Sequence, residues 1–337
     1  MDKVSVIIPI YNGEKYIKHI VKCVLNQTFR NIELILVENG SKDRSWEILR
    51  EISRIDSRII ILQSLKFGTS FARKKGIEYA TGKYIVFMDQ DDRYKTRTAI
   101  EEMYNAIETT KSQICQFSFY INYGFGIIRK KAFVKKIETL EVNTLRNEKI
   151  SGILGEKGSI LNSTVWSKIY LTDILKDAIK YINISLCYAE DVFLNVCCVK
   201  SKKIKKITVF PSAFYVWNNH VGFSSSNGAG KALLIDYERV KPLIFDVLND
   251  INSSRKVLFY YHIESIYCHK TYLLRETKSM KKNEAIAFIE SELNYNFVSE
   301  AKKFVNEKIN KDEKWEDLEF LVSDFSAEDF YTRYIQK

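Results

Sequence analysis

Over the first hundred residues, short apolar runs alternate with segments whose apolar positions recur at helical spacing. "KVSVIIPI", "IELILVE", "RIIILQS" and "KYIVFMD" are rich in β-branched residues and read as strands. "EKYIKHIVKCVLNQ", "RSWEILREISR" and "TSFARKKGIEYA" read as helices between them. Strands joined through helices of this length make βαβ crossovers, and so an α/β fold on a mainly parallel sheet. The short connections "RN", "SKD" and "TG" suit that arrangement.

Past residue 110 the pattern changes. "SQICQFSFYINYG" and "FGIIRKKAFVKKI" predict a strand pair or hairpin, and "NSTVWSKIYLTDILKD" a short strand or loop entering a helix. "LCYAEDVFLNVCCVK" sets an acidic pair just before an apolar helical stretch, and "KITVFPSAFYVWNN" is strand-rich. The Gly/Ser-rich "HVGFSSSNGAGKA", residues 220–232, predicts a loop or boundary. Beyond it "LLIDYERVKPLIFDVLND", "VLFYYHIESIYCHKTYLLRE", "EAIAFIESELN" and "AEDFYTRYI" look helical. The expected division is 1–226, with halves 1–110 and 111–226, and a helical region over 227–337.

A parallel α/β sheet binds ligands outside the carboxyl ends of its strands. The first strand ends at Pro9 and Tyr11, the second at Glu38 and Asn39, and the fourth at Asp89, Asp91 and Asp92. These positions should converge on one crevice. Crowded carboxylates repel and raise one another's pKa, so something positive belongs beside them. Asp89 and Asp91 flank Gln90, and on an extended backbone both would point the same way. Their oxygens suit Mg²⁺ or Mn²⁺, which share substrate phosphates. A solvated turn capping the next helix is the other reading. Arg73 is expected either to neutralise phosphate or to lie on a helix surface. Glu190 and Asp191 open a helix, where the dipole favours negative charge, and Asp191 there is a candidate general base. His220, at the head of the Gly/Ser-rich stretch, is a candidate metal or phosphate contact and equally a structural histidine.

Charge narrows the classes of partner. The net charge is +10 over 337 residues, which calls for a polyanionic neighbour. The basic runs "RKKAFVKK", "KSKKIKK" and "KSMKKNE" lack the interleaved aromatics of a single-strand nucleic-acid track, and no nucleic-acid-binding motif is present. A surface that keeps the protein soluble accounts for much of this charge, and attraction to an anionic membrane surface is the second reading. Six cysteines show no metal-ligand spacing and read as reduced, buried residues. No window is apolar enough to span a bilayer. The N-terminal run reads as a strand rather than a signal peptide, so a cytoplasmic protein is expected.

Taken in order, these motifs resemble family 2 glycosyltransferases, inverting enzymes with a GT-A fold that use nucleotide-diphosphate sugars. The resemblance rests on "VSVIIPIYN" at 4–12, the "QTF…ELILV…GS" block at 27–45, the "GTSFARKKGIEYATGKYIVFMDQDD" block at 68–92 and "ED" at 190–191. "NSTVWSKIY" and "FYVWNNHVGFSSS" are similar to segments of capsule- and lipopolysaccharide-type members. The resemblance implies that Asp91 binds Mn²⁺ or Mg²⁺, with Asp89 orienting ribose or supporting the metal and Asp92 secondary. Pro9, Tyr11, Asn39, Arg73 and Gln90 would help hold the nucleotide sugar. Asp191, beside Glu190, would deprotonate the acceptor hydroxyl. The family's "VDDGS" turn is "VENGS" here, so a UDP-sugar is expected while Asn39 also permits other bases. The implied acceptor is a saccharide or glycolipid of surface polysaccharide, met at the inner face of the cell membrane.

Two rivals share the nucleotide and the sheet. A sugar nucleotidyltransferase would show a glycine-rich basic loop after the first strand, where "PIYNGEKYI" has one glycine. A non-catalytic nucleotide-binding protein would tolerate loss of Asp91 or Asp191, and both are present. "SSSNGAGKA" lacks the first glycine and final Ser/Thr of a P-loop. The C-terminal helices, with aromatic-rich "LFYYHIESIYCH", are expected to serve acceptor docking, self-association into a homo-oligomer, or membrane contact.

Overall fold

β1 (Val4–Ile10), β2 (Ile32–Glu38), β3 (Ile59–Gln63) and β4 (Tyr84–Phe87) pair in parallel in the order β3-β2-β1-β4. The coordinates are a computed structural model, which describes residues 1–124, 126, 128–154, 156, 158–219, 230–248, 254–293, 295–306 and 317–336. β2 is buried along its whole length, as a central strand covered on both faces must be, and its apolar run from Leu34 to Val37 follows from that. α1 (Ile17–Leu25), α2 (Ser45–Ile52) and α3 (Thr69–Tyr79) make the crossovers. Gly76 sets the approach of α3 to β1: a Cβ there would stand 2.5 Å from Ile7 Cγ2. That close seat brings Arg73, one turn earlier on α3, underneath the strand ends.

The chain continues through β5 (Arg93–Tyr94), α4 (Ala99–Thr110), β6 (Ile114–Asn122), β7 (Ile128–Lys131), β8 (Glu138–Glu141) and the single turn α5 (Val142–Thr144). β9 (Lys168–Leu171), α6 (Thr172–Ala178), α7 (Glu190–Lys200) and β10 (Lys206–Asn218) follow. β9 lies antiparallel between β4 and β6, joining the parallel half to β6 and β10. The sheet order is β3-β2-β1-β4-β9-β6-β10-β5, with β7 on β6 and β8 on β10. β6 and β7 form the expected hairpin. The segment "KITVFPSAFYVWNN" is a single strand that takes up Pro211, which has no N–H to donate, at a register shift between Phe210 and Ala213. This is the mixed α/β GT-A fold, with helices on the sheet's faces.

Three expectations change. The fourth strand ends at Phe87, and the Asp92 N–H donates to the Asp89 carbonyl at 3.2 Å. Asp89 to Asp92 is therefore a turn, and the extended-backbone argument for the two aspartates does not apply. The aromatic stretch on α9 (Ser254–Glu276), preceded by α8 (Gly230–Leu248), is not a surface: Tyr260, Tyr261, Ile263 and Ile266 are buried. They belong to the apolar cluster that also holds Ile7, Ile77 and Phe193, so this stretch offers nothing to a membrane. Finally, residues 220–229, His220 among them, lie outside the described residues, while 230–232 open α8.

α10 (Lys282–Glu292), α11 (Asn296–Asn306), α12 (Leu318–Val322) and α13 (Ala327–Tyr334) complete the C-terminal helices. Among the described residues no helix is long and apolar enough to cross a membrane.

Candidate active site

The ends of β1, β2 and β4 open into a cleft of about 820 Å³ including its mouth. Pro9, Tyr11, Asn39, Phe67, Arg73, Asp89, Gln90, Asp91, Asp92, Tyr188, Glu190 and Trp217 are among its lining. Tyr11 and Phe67 meet edge to face with centroids 5.3 Å apart, giving one wall two rings. Asn39 is 4% exposed, and its side-chain carbonyl has no hydrogen-bond donor. A buried amide oxygen of this kind is costly unless a ligand completes it. Glu38 and Asp43, by contrast, serve the turn. Glu38 accepts the Ser41 N–H, and Asp43 accepts from Glu14 and Ser45.

Gln90, which lines the cleft, is also bonded to the backbone beside it. Its amide accepts the Tyr11 N–H at 3.1 Å and donates to the Tyr11 carbonyl at 2.9 Å. It is a brace between two strand ends. Asp92 is also held through both oxygens: Tyr215 Oη donates to Oδ2 and the Asn218 N–H to Oδ1, both at 2.7 Å. Tyr215 Oη also accepts the Asp89 N–H at 3.0 Å. The acidic turn is thus pinned to the end of β10.

Arg73 settles what the carboxylates face. It is 3% exposed, which removes the surface-arginine reading. Nη2 donates to Asp89 Oδ1 at 3.1 Å, and Nη1 to Glu190 Oε1 at 2.7 Å and to Asp191 Oδ1. One guanidinium therefore joins the tip of β4 to the start of α7. Its planar fork suits several carboxylates at once, as a lysine would not. Burial works against its charge, but Asp191, Glu190 and Asp89 more than offset that and hold it protonated.

Three carboxylates on one cation leave an excess of negative charge. Burial, then the charge of Asp191, pushes Glu190 up to about 8 despite Arg73. Burial also lifts Asp89 to about 6, with Arg73 opposing and Asp191 and Asp91 adding. Asp91 is raised by burial as well. The surroundings thus disfavour the charged form of Glu190, although its Oε1 accepts from Arg73.

Asp191 has its second oxygen on the Val165 N–H, at 3.2 Å. That peptide belongs to a turn held from inside. Lys168, 3% exposed, donates to the Asn162 carbonyl at 3.0 Å, to Asn162 Oδ1 at 2.7 Å and to the Thr164 carbonyl. Burial pulls Lys168 down to about 7. Asn195 Nδ2 adds bonds to the Ser163 carbonyl at 2.6 Å and the Asp191 carbonyl at 2.8 Å. From the C-terminal helices, Asp236 Oδ2 accepts the N–H groups of Cys187 and Tyr188 at 2.8 and 3.0 Å. Lys168, Asn195, Tyr215, Asn218 and Asp236 all support the site; Lys168 lies in "NSTVWSKIY" and Tyr215 and Asn218 in "FYVWNN", but their roles there come only from the packing.

Whether these donors suit a divalent cation follows from their number. Among the described residues no three His, Cys, Asp or Glu side chains cluster as a metal cage. Asp91 lines the cleft beside Asp89, which gives one oxygen to Arg73. Such a pair is too small for an all-protein site and fits Mg²⁺ or Mn²⁺ shared with substrate phosphates.

Residues 5–164 match the model of glycosyl transferase family 2. The chain is 35% identical to glycosyltransferase GlyA of Streptococcus pneumoniae over 119 residues, 35% of this chain and 17% of GlyA. It is 37% identical to the UDP-Glc:alpha-D-GlcNAc-diphosphoundecaprenol beta-1,3-glucosyltransferase WfaP of Escherichia coli over 128 residues, 38% of this chain and 50% of WfaP. The chain thus spans half or less of these two relatives. In fold it is similar to Staphylococcus aureus TarS 1–349 solved with UDP-GlcNAc, at TM-score 0.60 and 20% identity, covering 90% of this chain and 84% of that one.

Proposed function

We propose that the protein is an inverting, metal-dependent glycosyltransferase that moves a sugar from a UDP-sugar to a hydroxyl of a saccharide or glycolipid acceptor in surface polysaccharide synthesis. One observation carries this reading: Arg73 ties Asp89, of the acidic turn, to Glu190, all three lining a single cleft, and to Asp191 beside them. UDP as the donor's nucleotide is supported by the donors in the names of WfaP and of the TarS complex. The unpartnered Asn39 carbonyl supports it too, since it can accept from the imide N–H of uracil.

In this reading the Tyr11 and Phe67 rings hold the base and Asp89 steadies the ribose. A cation at Asp91, when bound, offsets charge on the departing diphosphate. Asp191 takes the proton of the acceptor hydroxyl. Its oxygens each carry a further lone pair beyond the bonds to Arg73 and Val165, so it can accept one more donor. Glu190, whose Oε1 accepts from Arg73, braces that cation rather than acting as a second base. With no carboxylate nucleophile, displacement at the sugar C1 is direct and inverts it. Since the acceptor is membrane-linked in this reading, the protein works at the cytoplasmic face.

A donor-hydrolysis screen over UDP-, GDP- and dTDP-sugars, with and without Mn²⁺, tests this. The expected result is turnover of a UDP-sugar that chelator abolishes. Folded protein that turns over none of them would contradict the enzyme reading.

A further inference from the structure

We infer that the β6–β7 hairpin is the docking face of the protein on an anionic lipid surface. Residues 123–137 read "YGFGIIRKKAFVKKI", five cations without one carboxylate. β7 is exposed along its whole length and pairs only with β6, and Lys135 and Lys136 beyond it are exposed too. Tyr123 and Ile128 are each 44% exposed and Ile137 57%. Cations mixed with apolar and aromatic side chains match a lipid headgroup layer over its acyl boundary, rather than a single soluble anion.

Register extends the charge across the sheet. Lys130 pairs with Tyr120, Tyr120 with Val216, and Val216 with Arg93, so these four side chains share one face. Lys95 lies on that face, 3.7 Å above the Tyr120 ring. Lys131 is the less available cation: it lies 5.8 Å over Phe119 and is felt by Glu264.

The hairpin is tied directly to the candidate site. Asn122, the last residue of β6 before the hairpin turn, donates to Asn218 Oδ1 at 2.7 Å, and Asn218 donates to Asp92 and to the Asp91 carbonyl. A bilayer held there would bring a lipid-linked acceptor to the cleft. That consequence rests on the proposed glycosyltransferase reading; the docking face itself does not.

The test is sedimentation of the full chain with phosphatidylcholine vesicles, with and without phosphatidylglycerol. Wild type should bind the phosphatidylglycerol vesicles at low salt and be released by high salt. Reversing Arg129→Glu, Lys130→Glu and Lys135→Glu should weaken binding by about tenfold or more, since each cation near the surface contributes separately. Donor hydrolysis in solution should stay at the wild-type rate, which reports folding and the cleft independently. The milder pair Arg129→Gln and Lys130→Gln should shift binding the same way if the triple variant folds poorly. Reversal of Lys278, Lys281 and Lys282, in the basic run that leads into α10, makes the same change in net charge and should leave most binding intact. Equal losses in the two sets, full binding by the hairpin variants, or equal binding to neutral vesicles would overturn the docking face.

Discussion

Asp191→Asn is expected to lower sugar transfer by about 10²- to 10⁴-fold, the usual contribution of a positioned general base, while UDP affinity stays at the wild-type level. The amide keeps an oxygen for the Val165 N–H and nearly the same shape, so the turn held by Lys168 and Asn195 should persist. What is lost is a group able to take a proton. Removing the Asp191 charge also relieves Glu190, whose carboxyl that charge helps to raise. Glu190 would then ionise nearer neutrality and keep Arg73 paired. Turnover and UDP affinity measured on the same preparation separate the roles: parallel losses in both would show that Asp191 builds the nucleotide site rather than acting on the acceptor.

Arg73→Met should be the most destabilising change near the cleft, at about 3 to 5 kcal/mol, the range found when a buried ion pair loses one member. Methionine fills much of the volume but leaves Asp89, Glu190 and Asp191 without the cation they share. Some relief comes from protonation, as Glu190 and Asp89 already titrate high. Arg73→Lys should rescue only part of the loss, since one ammonium cannot match the geometry of the fork. Urea denaturation measures this directly. A loss below about 1 kcal/mol, the scale of an exposed pair, would mean that the guanidinium is not the cross-link between β4 and α7.

Much of the nucleotide half was legible because its signals are local. β-branched runs, helical spacing and short polar connections fix β1 to β4 and α1 to α3 within a few residues of one another. The rule that ligands sit at strand ends then placed Tyr11, Asn39 and Asp91 together, and the structure brings them to one cleft. Arg73 needed more: its position on α3 could be read, but its burial depends on Gly76 letting the helix lie on Ile7.

The support behind the site was not legible, for a physical reason. Asp92 meets Tyr215 across 123 residues of chain, and Cys187 meets Asp236 across 49. Such pairings come from register and packing, which no periodicity encodes. The same limit explains two misreadings. Asp89 and Asp91 were placed on an extended backbone because a turn of three acids has no apolar pattern to end it. The aromatics of α9, read as serving docking, self-association or membrane contact, are buried, and helical spacing alone does not say whether a ring faces water or the core.

The most direct test is calorimetric titration of UDP into wild type and Asp91→Asn, each with and without Mn²⁺. Mn²⁺ should tighten UDP binding by wild type and leave the variant unchanged. An equal Mn²⁺ effect in both proteins, or none in either, would contradict a cation shared between Asp91 and the diphosphate.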